Sequence, residues 1–242
     1  MKITKQFITA CAVAGVSVVG STLGLAGIAA AQSTSAATSQ QRLQTIISKG
    51  DQEISRRLTS LSTLTSKINA ATKLTASDKA TLTSEVKDTT SGLNTLKTTL
   101  DGETTVAAAK TDVQNIYNEY RVYALVTPKV NLIKVADDQQ TVETKLTTLA
   151  QKLQTRITTA QQAGKDVSSL QSQLNDMTAK TSAAQAISSG IENKVIGLQP
   201  SDYNSDHALL SGDSAQLKTA HADNQAAYTD AKSIVAALKA LK

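Results

Sequence analysis

Residues 43–71 read LQTIISKGDQEISRRLTSLSTLTSKINAA, in which Leu43, Ile47, Ile54, Leu58, Leu61 and Ile68 recur at steps of three, four or seven. That spacing gathers the apolar side chains on one face of a helix and leaves Ser, Thr, Lys and Arg on the other, the pattern of packed helices. It predicts a helix from about Thr38 to Ala71. Thr75 and Asp78 then offer a capping pattern, a hydroxyl for an orphan amide with a carboxylate three residues on. A second helix follows through Leu82, Val86, Leu93, Leu96 and Leu100, turned by Asp101-Gly102.

The same spacing continues almost to the end of the chain. A third helix carries Val106, Val113, Ile116, Tyr120 and Tyr123 inward. It ends or kinks at Pro128, with Thr127 as the cap and Pro at the first helical position of the next. The fourth runs through Leu132, Val135, Val142, Leu146, Leu149, Leu153 and Ile157 to a stop at Gly164. Asp166 caps a fifth through Val167, Leu170, Leu174, Met177, Ala184, Ile191, Val195 and Leu198. Residues 199–206 form a Pro/Asn/Asp/Ser loop. The sixth helix carries Leu210, Leu217, Ala220, Asn224, Tyr228, Ala231, Val235 and Leu238. The expected fold is all-α, an elongated, coiled-coil-like antiparallel bundle of about six helices. Leu58, Leu61, Asp78, Leu82 and Val86 return 88 residues later as Leu146, Leu149, Asp166, Leu170 and Leu174, which suggests two three-helix halves, 42–127 and 128–242. Thr65, Thr181 and Ser188 fall among the inward positions, so the core is thin and self-association or a partner helix would complete it.

The N-terminus sets the expected destination. Lys2 and Lys5 precede an uncharged run over residues 7–31 that closes with Ala29-Ala30-Ala31, the composition of a cleavable signal peptide. Retention of that run as a membrane anchor is the alternative, since about 20 mostly apolar residues span a bilayer. Residues 32–41, QSTSAATSQQ, read as a flexible stalk, and residues 42–242 as the bundle. Cleavage after Ala31 leaves 211 of the 242 residues and lowers the formal charge from +5 to +3. Cys11, the single cysteine, lies in the leader, so the remainder has neither disulfide nor thiol chemistry. With no Trp, and its one Phe in the leader, the body has only five tyrosines for stacking. Weak charge and few aromatic faces argue against nucleic-acid and carbohydrate recognition.

Motifs for chemistry are sparse. Asp202-x-Asn204-x-Asp206 with Asp213 at the twelfth position has the oxygen spacing of a calcium loop, but His207 stands where such a loop needs Gly. A capped inter-helix turn is the competing reading. His207 and His221 lie about 21 Å apart on one continuous helix and could not share a metal. Asp137 and Asp138, being adjacent, point to different faces. No Ser elbow or phosphate loop occurs. The expectation is therefore no catalytic, cofactor or metal residue and no small-molecule substrate. Residues 122–135, VYALVTPKVNLIKV, are the most apolar stretch of the body and read either as core or as a membrane-seeking tongue. Paired threonines, such as Thr98-Thr99 and Thr147-Thr148, are candidates for O-linked sugars or plain solvent-facing positions.

Residues 47–86, residues 120–139 (YRVYALVTPKVNLIKVADDQ) and residues 198–207 (LQPSDYNSDH) resemble a group of uncharacterised exported helical proteins from candidate-phylum bacteria of reduced genome. The resemblance implies export and a helical body, and carries no activity or site residue. The expected function is that of a secreted or envelope-associated, non-enzymatic structural or interaction protein, a scaffold or adhesin-like bundle with a protein partner or self-association. The alternative is a membrane-active helical protein that deploys residues 122–135. Membrane contact through the N-terminal run is expected if that run stays uncleaved.

Overall fold

A computed structural model describes the backbone of residues 25–241 and the side chains of residues 37–241. Most of the leader expected over residues 1–31 lies outside the described residues. The chain divides into two compact units, Met1–Arg42 and Leu43–Lys242. In the first, the described backbone is helical, including residues 32–41, where composition predicts a flexible stalk.

Helices account for all the regular structure described. They are α1 (Leu25–Ala70), α2 (Ala76–Asp101), α3 (Val106–Asn118), α4 (Thr127–Gln162), α5 (Ser168–Val195), α6 (Pro200–Ser205) and α7 (Asp213–Ala240), with a π-helical turn at Val122–Val126. Six of these exceed three turns, and the all-α helical bundle expected from the spacing is what forms. Contacts fix the helix directions. Asp51 meets Lys97, and Asn69 accepts from Lys79, so α1 and α2 are antiparallel. Gln154 meets Gln171 while Gln140 reaches Glu192, which makes α4 and α5 antiparallel as well. Lys194–Asp213 and Lys180–Asp230 do the same for α5 and α7.

The ends of the helices follow local chemistry. Thr75 caps α2 by accepting from the Asp78 amide, and Thr105 caps α3 by accepting from Ala108. Pro128 sits in the first turn of α4, where its missing N–H costs nothing. Gly164, at φ 77°, releases the chain after α4, and Gly212, at φ 83°, precedes α7; both need the left-handed region that glycine enters freely. Asp166 accepts from the Ser168 amide at the start of α5. Thr-rich helices are tolerated because hydroxyls such as those of Thr90, Thr99, Thr148 and Thr159 bond back to the carbonyl four residues earlier.

Three details depart from the sequence reading. The third helix stops at Asn118 rather than continuing through Tyr123, because Arg121 turns left-handed (φ 41°) and the next five residues widen into a π turn. That turn rephases the chain so that Val122, Leu125 and Val126 face inward while Tyr123 is 48% exposed. Val135, Val142 and Tyr228 are exposed as well; their expected places are filled by Ala136, Asp137, Gln139 and Glu143 on α4, and by Ala227 on α7, where Ala231 is buried as expected. Residues 199–206 contain the six-residue helix α6, and Leu210 lies in the turn before α7 rather than within it.

Two apolar clusters result. One joins α1, α2, α3 and the π turn to Val130, Ile133 and Ala136 of α4, Ile191 and Val195 of α5, and Leu217 of α7. The other is formed by Leu146, Leu153 and Ile157 of α4, Leu170, Leu174 and Met177 of α5, and Ala227, Ala231 and Ile234 of α7. They part within α4, between Ala136 and Leu146, and not at Pro128 where the sequence suggests a joint. Thr181 and Ser188 are buried, as the sequence reading expects.

Helix α1 passes through Gly50 without breaking, and the reason is space: a Cβ there would lie 2.4 Å from Leu100 Cδ2 and 2.9 Å from Val113 Cγ2. Alanine raises helix propensity by about 1 kcal/mol, whereas crowding a packed core costs about 1–3 kcal/mol. Gly50→Ala should therefore leave stability unchanged or lower it by up to about 2 kcal/mol. A clear gain in urea denaturation would show that α1 and α2 are not in close contact here.

Candidate functional site

Between the two apolar clusters lies a layer of buried polar groups, built mostly by α4. Glu143 is 1% exposed. Both its oxygens accept from the Ser188 hydroxyl of α5, at 3.0 and 2.9 Å, and Oε1 also accepts from Asn224 Nδ2 of α7 at 3.3 Å. Asn224 donates in addition to Gln139 Oε1 at 2.8 Å, and Gln139 Nε2 lies 3.3 Å from His221 Nδ1. Burial pushes the Glu143 carboxyl above its usual range, against the opposing pull of the Ser188 and Asn224 hydrogen bonds. Asn224 Oδ1 is buried without a donor.

Nearly two turns earlier on α4, Asp137 is also buried. Its Oδ2 accepts from the Thr75 amide at 2.9 Å, so the cap of α2 is tied across the bundle, while Oδ1 has no partner. Asp78 accepts from the Thr75 hydroxyl, and Glu192 of α5 accepts from Gln140. One oxygen each from Asp78, Asp137 and Glu192 lie within 4.8 Å of one another. Burial drives the Asp137 carboxyl up to about 6, the charges of Asp78, Glu192 and Asp138 add to the rise, and the Thr75 hydrogen bond opposes it.

In the first turn of α4, directly after the π turn, Lys129 is wholly buried and holds both oxygens of Glu85 at 2.8 Å and the Leu198 carbonyl at 2.5 Å. Removing one partner of such a pair costs about 3–5 kcal/mol. Arg121 is held by its Nε–H to Asn204 Oδ1 at 2.6 Å and lies over the Tyr203 ring. These contacts stabilise the left-handed residue and pin α6 beside the π turn.

The residues singled out in the sequence are spent on such contacts. Asp202 accepts from the Gln199 amide, Asp206 from that of Ala208, and Asp213 pairs with Lys194, so the suspected calcium loop is divided among separate partners. His207 lies against Tyr203, and His221 between Gln139 and Gln225. Asp138 pairs with Lys134 and leaves Asp137 to the interior. Residues 122–135 supply Val122, Leu125, Val126, Val130 and Ile133 to the core. Sequence reasoning missed Asp78, Asp137 and Glu192 as a group and Glu143 and Lys129 as interior residues. A usable signal was present: Glu143, three residues before Leu146, keeps step with the helical seam.

Along α4 and α5 runs an open groove of about 640 Å³ whose lining includes Ala150, Gln154, Asn175, Ala179 and Ser182 and contains no charged residue. Comparison with protein-family models, with curated proteins and with solved structures finds no match to this chain.

Because the Glu143 carboxyl is raised, the folded state holds its proton more tightly than the unfolded state, and stability falls as pH rises from about its ordinary 4.5 through the folded value. Glu143→Gln should flatten that part of the decline, read as the difference in unfolding free energy between variant and wild type across pH 4–8. Glu143→Leu leaves Ser188 and Asn224 facing an apolar group and should cost about 1–3 kcal/mol at pH 7. A Gln variant whose pH profile runs parallel to wild type would contradict a buried, raised Glu143.

Proposed function

We propose that the protein is an exported, non-enzymatic structural or interaction module of the bacterial envelope, elongated and coiled-coil-like, which engages a protein partner or a second copy of itself. The observation that carries this reading is the uncharged groove along α4 and α5. Leu174 and otherwise Ala, Ser, Thr, Gln and Asn line it, side chains short or flexible enough for another helix to approach closely, and its hydroxyls have no acid or base beside them in the lining. The contacts among Glu143, Ser188, Asn224 and Gln139 favour the same reading, because they join α4, α5 and α7 to one another. The basic, apolar and Ala-ended sequence of residues 1–31 supports export, as does the resemblance of residues 47–86, 120–139 and 198–207 to exported helical proteins.

A membrane-active role for residues 122–135 remains the second reading. Deployment of that segment would have to break the buried Lys129–Glu85 pair and empty Val122, Leu125 and Val126 from the core. Among the described residues, no helix is long and apolar enough to cross a membrane.

Fractionation of the native cells with intact-mass measurement tests the proposal. A chain beginning at Gln32, in the medium or on the envelope, is the expected result, and added hexose masses would mark glycosylated threonines. A full-length chain confined to membranes would replace the secreted scaffold with a tethered one. Dye-loaded liposomes should stay intact in the presence of the protein; leakage abolished by Val126→Asp would establish the membrane-active reading instead.

A further inference from the structure

We propose that Asp78, Asp137 and Glu192 bind a hard divalent cation of the calcium class, where the first turn of α2 meets α4 and α5. One oxygen from each carboxylate lies within 4.8 Å of the other two. Calcium takes oxygen ligands at about 2.3–2.6 Å, so two ligands on opposite sides of one ion stand about 4.6–5.2 Å apart. The observed spacing fits within that span.

A second observation points to a ligand. Asp137 is 2% exposed, and its Oδ1 is buried with no hydrogen-bond donor. The other oxygen is held by the Thr75 amide, as Asp78 is held by the Thr75 hydroxyl and Glu192 by Gln140. Donors of this kind orient carboxylates around a metal in established sites. Among the described residues, no Lys, Arg or His forms an ion pair with any of the three. The neighbouring cations are engaged elsewhere: Lys79 with the Asn69 carbonyl, Lys134 with Asp138, and Lys194 with Asp213. Three crowded carboxylates without a countercharge repel one another, and a divalent ion removes that repulsion. An all-oxygen set without imidazole or thiolate selects calcium or magnesium over zinc. Magnesium, at about 2.0–2.1 Å, demands a tighter and more regular cage.

Titration of the full chain with calcium chloride after EDTA treatment, followed by calorimetry and thermal unfolding, tests the site, with magnesium chloride in parallel. The expected result is one ion per chain with a dissociation constant of about 0.1–1 mM, in the range of extracellular calcium modules. At tenfold excess of ion over that constant, the melting temperature should rise by about 3–5 °C. Asp137→Asn preserves shape and should abolish the rise, while its ion-free melting temperature equals or exceeds that of wild type because one repelling charge is gone. Glu192→Gln should behave alike and serves if the first variant does not fold. Asp202→Asn should keep the full response. No heat and no thermal shift in wild type would overturn the proposal, as would an undiminished shift in both Asp137→Asn and Glu192→Gln.

Discussion

Glu143 is buried at a level of the bundle where only Ser188 of α5 and Asn224 of α7 supply donors to it. A carboxylate in an apolar interior is costly unless its oxygens are hydrogen-bonded. That requirement fixes the heights of α4, α5 and α7 against one another more sharply than the surrounding core can. Leu, Ile and Ala contacts tolerate a small slip between helices, whereas a slip of one turn, about 5.4 Å, would strand Glu143 and Asn224 together. Asp137 extends the same constraint to α2 through the Thr75 amide, and Lys129 does so through Glu85.

Because α4 runs through this layer without interruption, the apolar clusters on its two sides are parts of one unit. The first cluster is rich in Leu and Ile and borrows its last members from the end of α5 and the start of α7. In the second, Ala227 and Ala231 take core positions on α7 and let that helix approach closely. Burying a Leu or Ile side chain is worth about 1.5–3 kcal/mol, and Ala contributes far less. Polar contacts between helices, Lys180 with Asp230 and Lys194 with Asp213 among them, therefore define the pairing of α5 and α7 alongside a modest apolar core. The same thinness leaves the groove between α4 and α5 unfilled.

Much of the architecture was legible in the amino-acid sequence. Apolar spacing located the six main helices, and Thr75, Gly102 and Gly164 marked ends that the structure places at or beside the helix termini. Thr181, Ser188 and Asn224 were recognised as inward because they fall in step with apolar neighbours. The errors also have a physical cause. A search for apolar residues prefers Val135 and Val142 to the adjacent Ala136, Asp137 and Glu143, and the π turn that shifts the phase leaves no compositional mark. Asp78 looked like the reciprocal half of a cap on α2, but the Thr75 amide goes to Asp137 and Asp78 takes the Thr75 hydroxyl instead; nothing local to Asp78 reveals Asp137 or Glu192. That carboxylate group is assembled by three helices, so only the packing could bring it to view. Gly50 was silent for the same reason, since the side chains that need its space belong to α2 and α3.

Native-state hydrogen exchange along α4 is the measurement closest to the central claim, that a buried polar layer makes the two apolar clusters one cooperative unit. Amides of residues 130–136 and of residues 146–157 should exchange through openings of the same free energy and the same denaturant dependence. If one of these segments opens at a markedly lower free energy while the other stays protected, the clusters fold separately and the polar layer is only a seam between them.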